Sequence, residues 1–479
     1  MPAARFFMLV LFCWGTTCFA QYNPAQLQDE ANIQLPADSA AKIYVTDIII
    51  EGNKKTKRYI IEREMRFKKG DSILASSLNE KLQLSQELIV NTTLFTEVTL
   101  EPSFITATQM VVHVKLKEKW YIYPSPQFQL IDRNINEWIN TYNADPERIV
   151  YGAKFAHYNL SGRRDQLRLT VLNGYTRNFA FSYSAPYSNR NLTEGFSLGA
   201  GYTQNRELTY KTSPNNLPLR FTGQDFIRNN FTAAASYVLR KGFYRKHVFT
   251  LGYSTTDITD SINLHYNPRY FNTGKSYANF TDLAYSYQYL NTNNINYPLT
   301  GKFFTLTLAK RGWGLSGGLN MFTVDANFNR YFAHNTKWFS MLQTYVKVKA
   351  PFTQAYINQT AMGYGELYLQ GLENYVIDGV AMGIAKYTLK RKLVSFNIPV
   401  PFANKLVTSI PVTLFAKTYA NTGFSYIQKE FDTRLGNRLL YTGGFGIDIL
   451  TLYDLNFRVE YSFNQLGEKG LFLHAKGGF

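Results

Sequence analysis

From about residue 121 to the last residue, Phe479, polar and apolar side chains alternate with period two in segment after segment. No apolar run anywhere in the chain reaches the roughly 18 residues that a membrane-crossing helix needs. In residues 164–171, Arg164, Gln166, Arg168 and Thr170 face one way while Leu167, Leu169 and Val171 face the other. In residues 456–463, Phe457, Val459, Tyr461 and Phe463 oppose Asn456, Arg458, Glu460 and Ser462. Comparable stretches lie near 179–185, 303–309, 323–331 and 412–418, separated by turns such as Ser213-Pro-Asn-Asn-Leu-Pro218. A strand with one apolar and one polar face suits the wall of a transmembrane antiparallel β-barrel, with lipid outside and a wet lumen inside. At about 20 to 24 residues per strand and loop, residues 122–479 hold about sixteen strands. An even count lets the last strand close on the first and leaves no edge in lipid. Composition agrees, because 36 Phe, 35 Tyr and 5 Trp accompany a mean hydropathy of only −0.24. A secreted β-sandwich or propeller is the competing fold.

The chain opens with a basic residue, Arg5, then an apolar run from Phe6 to about Trp14 and small residues up to Ala20. Residues 1–20 therefore read as a cleaved signal peptide, too short to span a bilayer. Both cysteines, Cys13 and Cys18, fall inside it, so the exported chain has no disulfide or thiolate metal site. Residues 21–41 are polar, contain Pro24 and Pro36, and read as a linker. The net charge of +17 sits almost wholly in the long C-terminal part: residues 42–121 contribute +3 and residues 122–479 contribute +16. Such an excess suits a cationic lumen, or loops meeting anionic lipid headgroups. No basic patch lies on a recognisable nucleic-acid module, so nucleic acid is not an expected partner.

Between linker and barrel, residues 42–121 form a separate unit. Residues 42–51 are rich in β-branched side chains and end at Gly52. A helical spacing follows from Thr56 to Gly70, and a second runs from Ser77 to about Asn91 with Leu78, Leu82, Leu84, Leu88 and Ile89 as its stripe. Strands over 95–104 and 110–120 complete the order β-α-α-β-β. That order, the strand-and-glycine phrase at residues 48–53 and the turn Asn91-Thr-Thr-Leu-Phe95-Thr-Glu-Val98 resemble a POTRA domain, the periplasmic module of outer-membrane assembly and secretion proteins. The resemblance implies that an open sheet edge binds extended client segments by β-augmentation.

The C-terminal part resembles the outer-membrane assembly superfamily to which BamA and TamA belong. Leu369-Gln370-Gly371-Leu372-Glu373-Asn374-Tyr375 stands where that family has a long loop with an Arg-Gly-aromatic phrase. Tyr419-Ala420-Asn421-Thr422-Gly423 stands where it has an aromatic-x-Asp-x-Gly strand phrase, and Tyr441-Thr-Gly-Gly-Phe-Gly-Ile-Asp-Ile also agrees. In the family the loop arginine reaches into the lumen and pairs with acids on nearby strands. Here the arginine position is Gln370 and the aspartate position is Asn421, a joint loss that strands no charge. The expectation is a neutral latch in which these two amides bond to each other, with Gly371 turning the loop tightly. Leu471 and Leu473, followed by the terminal Phe479, resemble the C-terminal signal by which such barrels are recognised for insertion.

Little points to enzymatic chemistry. Gly314-Leu-Ser316-Gly-Gly318 matches a nucleophile-elbow pattern but lacks the strand-to-helix context that chemistry needs. The six histidines are scattered without metal-ligand spacing. No cofactor, metal or nucleotide is expected. The expected function is assembly or translocation at the bacterial outer membrane, with the POTRA domain in the periplasm and a seam between strands near 121–131 and 471–479. Expected partners are outer-membrane lipids, unfolded client proteins and accessory proteins. A dedicated secretion pore and a structural or lipid-handling barrel are the alternatives.

Overall fold

A computed structural model describes residues 40–131, 143, 145–312, 319–365, 367–404, 407–428, 433–452 and 455–476. The expected signal peptide, most of the linker, the Gly314–Gly318 motif and Phe479 lie outside the described residues.

The N-terminal domain runs β1 (Lys42–Glu51), α1 (Arg58–Glu62), β2 (Ser72–Leu74), α2 (Leu78–Val90), β3 (Phe95–Thr106) and β4 (Gln109–Glu118). Its sheet has the order β2-β1-β4-β3, with β1 and β4 parallel and the other neighbours antiparallel. Alternate residues Ile43 and Val45 of β1 and Met110, Val112 and Val114 of β4 meet Ile60, Ile61, Leu78, Leu82 and Ile89 of the helices in one core. Two details differ from the sequence reading. The first helix ends at Glu62, although Met65 and Phe67 stay buried, because they are delivered by turns leading to Gly70 at φ +93°. A three-residue strand, β2, was not foreseen; it is too short to show a period.

The barrel wall comprises β5 (Ile122–Leu130), β6 (Ile149–Tyr158), β7 (Gln166–Gly174), β8 (Thr176–Ala185), β9 (Glu194–Asn205) and, after a small hairpin of β10 (Glu207–Thr212) and β11 (Pro218–Thr222), β12 (Arg228–Lys241). It continues with β13 (Arg245–Ile258), β14 (Tyr277–Thr292), β15 (Gly301–Arg311), β16 (Met321–Ala333) and β17 (Trp338–Ala350). A long loop carrying β18 (Thr360–Met362) and β19 (Ile377–Asp378) precedes β20 (Ala381–Asn404), β21 (Val407–Tyr426), β22 (Leu439–Leu450), β23 (Asn456–Asn464) and β24 (Lys469–Lys476). Leaving out the two small hairpins, these strands form one 16-stranded sheet in sequence order, the number expected. Leu169, Val171, Phe181, Phe249, Leu251 and Tyr253 are exposed on the outer face, whereas Ser462 and Glu460 are buried within. Period two is thus an outside-inside alternation.

The β20–β21 hairpin outruns its neighbours. β17 pairs only as far as Arg391 and β22 only as far as Thr413, so the ribbon beyond projects from the end of the barrel that carries the N-terminal domain. Val394, Phe396 and Ile398 face Leu414, Val412 and Ile410 on one side of it, while Ser395 bonds Thr413 on the other at 2.9 Å.

The N-terminal domain is docked against the turns at that end. Glu64, buried after α1, accepts two bonds from Arg240 at the end of β12, 2.6 and 2.7 Å, and one from Tyr187 at 2.8 Å. Arg63 donates to the carbonyls of Leu192 and Gly242, and Asn91 bonds across to Thr292 and Ile295. Tyr187 and Leu192 belong to the same apolar cluster as the domain's core. Burial raises the Glu64 carboxyl, but the guanidinium of Arg240 outweighs it, and the group is held below its ordinary value of 4.5.

A depressed carboxyl contributes stability above its unfolded pKa and loses it as pH falls through the folded one. Docking is therefore expected to be complete above pH 4.5 and to weaken on acidification below it. Arg240→Met, which leaves Glu64 charged and buried, is expected to cost about 3–5 kcal/mol, whereas adding Glu64→Leu should restore much of it. Urea unfolding and protease nicking near residue 121 measure both; equal damage in single and double variants would refute the buried pair as the anchor.

Candidate functional site

The loop between β17 and β20 folds back into the barrel. At its base, Lys349 donates to the carbonyls of Asn358 and Thr360, 2.7 and 2.6 Å, which bends the loop inward over the strand end. From another loop, Asn216, fully buried at φ +61°, donates to the carbonyl of Val376 and the hydroxyl of Thr433, and accepts from the Leu435 N–H. The tip is packed by Leu369 and Leu372, each 2% exposed, within a cluster that includes Met362, Ile384 and Leu440.

Gln370 and Asn421 are both buried, but they do not bond to each other among the described residues. Gln370 donates to Glu460 Oε1 on β23 at 3.1 Å, and Asn421 donates to Thr442 on β22 at 3.0 Å. The expected amide-to-amide latch is replaced by an amide-to-carboxylate bond. Its physical reason is charge: Glu460 Oε1 also receives Lys417 Nζ at 2.5 Å, so the cation that neutralises the acid comes from β21, not from the loop. Lys417 pairs in addition with Asp448, which takes Lys390 at 3.2 Å and the Tyr297 hydroxyl at 2.7 Å. Two lysines and two acids thus balance within the wall, and the loop needs no charge of its own.

Gly371 has φ +93°, and a Cβ there would stand 3.0 Å from the Ser462 side chain. Its N–H donates to Glu373 Oε2 at 2.6 Å, and its carbonyl accepts from Asn464 at 2.8 Å. Gly423 is equally tight, since a Cβ would lie 3.1 Å from Leu369 and 3.2 Å from Met362. Beside them the Tyr419 hydroxyl bonds Ser462 at 2.6 Å. Burial raises the carboxyl of Glu373 above its ordinary value; the Gly371 N–H opposes this and the charge of Glu460 adds to it. Leu471 and Leu473 are exposed on the outer face of β24. Glu460, Lys417, Asp448 and Asn216 were not singled out from sequence. The first three are inward residues of ordinary alternating strands, and only their position opposite the loop tip distinguishes them.

The loop tip borders a lumenal cavity of about 710 Å³ whose wall includes Lys386, Lys390, Lys417 and Arg458. This is part of the positive charge that the sequence assigns to the C-terminal region.

The ends of the large sheet are β5 and β24, and no ladder joins them among the described residues. The closed ladder that an even strand count suggested is absent there, and β5 supplies a reason. Tyr158 N–H donates to Tyr121 O at 2.8 Å, and Ile131 N–H to Arg148 O at 3.2 Å. Odd-numbered residues of β5 therefore turn their backbone groups to β6, and even-numbered ones to the free side. Pro124 and Pro126 are even-numbered, so two donors are missing from the free edge.

Residues 43–119 match the POTRA family model, described as surface antigen variable number repeat. No curated protein matches the sequence. Among solved structures, CdiB from Escherichia coli is similar at 13% identity and a TM-score of 0.51, with 90% of this chain and 75% of that one covered. BamA from Haemophilus ducreyi lacking POTRA domains 1–3 aligns at 17% identity and a TM-score of 0.48, with 91% and 84% covered.

A double-mutant cycle separates the two latch arrangements. Gln370 and Glu460 should couple by about 1.5–3 kcal/mol, the range for a hydrogen bond to a charged group, while Gln370 and Asn421 should be additive within about 0.5 kcal/mol. Gly371→Ala should destabilise by about 1–3 kcal/mol through its backbone conformation and loosen the loop to protease.

Proposed function

We propose that this protein inserts polypeptides into, or passes them across, the outer membrane, with its barrel in the bilayer and its POTRA domain in the periplasm. The observation that carries this reading is that β5 and β24 end the sheet with no ladder between them among the described residues, while Pro124 and Pro126 remove two donors from the free edge of β5. A barrel wall in lipid must satisfy every backbone polar group. An edge that lacks two donors cannot make a full ladder with its neighbour, so the junction is the weakest line of the wall. A client strand that pairs at β24 would meet an open row of donors and acceptors there. The energy comes from folding the client, and the scheme calls for no cofactor or nucleotide. The POTRA match and the fold shared with CdiB support it.

The POTRA sheet ends in β3, whose outer edge is unpaired among the described residues. Glu97 and Glu101 of β3 pair with Lys117 and Lys115 of β4, which keeps its side chains neutral while the edge backbone remains accessible. An extended client could add there as a further strand before reaching the seam. Docking through Glu64 and Arg240 fixes that edge relative to the barrel.

The second reading, a dedicated secretion pore, is favoured by one observation: the cationic cavity at the loop tip is already present and would lengthen into a passage if the loop withdrew. Comparing outer-membrane and secreted proteomes with and without the protein decides between them. Joint loss of many unrelated barrels supports insertion, and loss of one or a few exported proteins supports the pore.

The seam itself is tested by Pro124→Thr with Pro126→Thr, which restores both donors at about 0.5–1.5 kcal/mol each. The double variant is expected to be more resistant to thermal unfolding and less active in client insertion or export. Higher stability with undiminished activity would rule out opening at this junction.

A further inference from the structure

Three side chains from three elements converge beside the loop tip: Glu373 from the loop, Glu460 from β23 and His474 from β24. Each is held through one atom and turns another toward a common point. Glu460 Oε1 is taken by Lys417 and Gln370. Glu373 Oε2 is taken by the Gly371 N–H. The His474 ring stacks on Tyr368 with centroids 5.7 Å apart, its Nδ1 lying 3.5 Å from the Tyr368 hydroxyl. The remaining atoms, Glu373 Oε1, Glu460 Oε2 and His474 Nε2, all lie within 4.8 Å of one another. Nε2 is 3.4 Å from Glu460 Oε2 and 3.8 Å from Glu373 Oε1.

Neither Glu460 Oε2 nor Glu373 Oε1 has a hydrogen-bond partner among the described residues, and the Glu460 side chain is wholly buried. Buried carboxylate oxygens left so are unfavourable. Ligand atoms about 2.0–2.2 Å from a tetrahedral zinc ion stand roughly 3.3–3.6 Å apart, close to the 3.4 and 3.8 Å that separate Nε2 from the two carboxylate oxygens. One imidazole and two carboxylates are a donor set for zinc and its neighbours in the first transition row, not for calcium or magnesium, which take oxygen alone. Charge also permits a cation. Lys390 and Lys417 balance Asp448 and Glu460, which leaves Glu373 unbalanced by that network. Lys386 and Arg458 on the same cavity wall limit the affinity.

We infer that Glu373, Glu460 and His474 bind one divalent transition-metal ion, with zinc the best match, which ties the inward loop to the last two strands of the barrel. Because β24 borders the seam, the ion would fasten the loop to the strand that must move for the wall to open. Binding needs a neutral imidazole and ionised carboxylates, so it strengthens from acid to neutral pH.

The test uses the full chain in detergent, prepared without a histidine tag, stripped with chelator and then given zinc alone. One zinc per chain by elemental analysis after washing, and thermal unfolding that rises with zinc and falls back with chelator, are the expected results. Glu373→Gln, which keeps an acceptor for the Gly371 N–H, and His474→Gln should each weaken zinc binding at least about tenfold, the lower range for disturbing a metal ligand's surroundings. Cobalt should give a visible absorption band in the wild type that both variants lose. If His474→Gln fails to fold, the loop variant and the wild-type stoichiometry still decide. No zinc or cobalt binding by folded wild-type protein would overturn the inference. The same holds if stability rises only on acidification and only when His474 is present, which would assign the cluster to a protonated histidine between two carboxylates.

Discussion

The wall of a membrane barrel cannot leave backbone donors and acceptors unpaired in hydrocarbon, and most of this structure follows from that requirement. Fifteen junctions in the sheet are antiparallel ladders, which is what 16 strands in a row provide. The alternating pattern only decides which face meets which solvent. Pro124 and Pro126 matter because they break the rule at the one junction where the chain's first and last barrel strands would meet. Where a strand is paired on both sides a proline removes a ladder bond, and Pro399 and Pro411 lie in the part of the β20–β21 ribbon that β17 and β22 do not reach; on the free side of β5 a proline keeps an edge from zipping.

Inside the wall, the second organising interaction is the lysine shared between Asp448 and Glu460. A loop arginine, as the resembled family has, would bring both the charge and the tether from the same side chain. This chain divides those roles. Lys417 neutralises the acids whether or not the loop is present, and Gln370 tethers the loop with a single hydrogen bond. Releasing Gln370 therefore leaves Glu460 and Asp448 still paired with Lys417, which costs less than breaking a buried ion pair.

Much of the architecture was legible because it rests on periodicity. Alternation gave the sixteen strands and their faces, and the glycine phrase and apolar stripe of residues 42–121 gave the POTRA unit. The misses share a cause: they depend on distant residues meeting. The bond between Gln370 and Glu460 spans ninety positions, and that between Glu64 and Arg240 spans 176. Glu460 looks like any polar residue of an alternating strand, and Glu64 like a surface acid near a helix end. The pairing of Gln370 with Asn421 rests on two departures from the resembled family's motifs, but in the fold Gln370 answers to Glu460 and Asn421 to Thr442. The histidines looked isolated because spacing along the chain cannot reveal ligands contributed by a loop and two strands.

The two ends of the barrel are held by different chemistry, and this has a consequence for how the molecule can move. The POTRA domain is fixed by a buried bidentate ion pair and a shared apolar core. The loop is held by separate hydrogen bonds: Gln370 on Glu460, Asn216 on Val376, and Asn464 on the Gly371 carbonyl. Single hydrogen bonds of about 0.5–3 kcal/mol can be released in turn, whereas a buried charge pair resists partial separation. The POTRA domain is thus anchored to the turns between β8 and β9, β12 and β13, and β14 and β15, while the loop rests on contacts that can be broken one at a time.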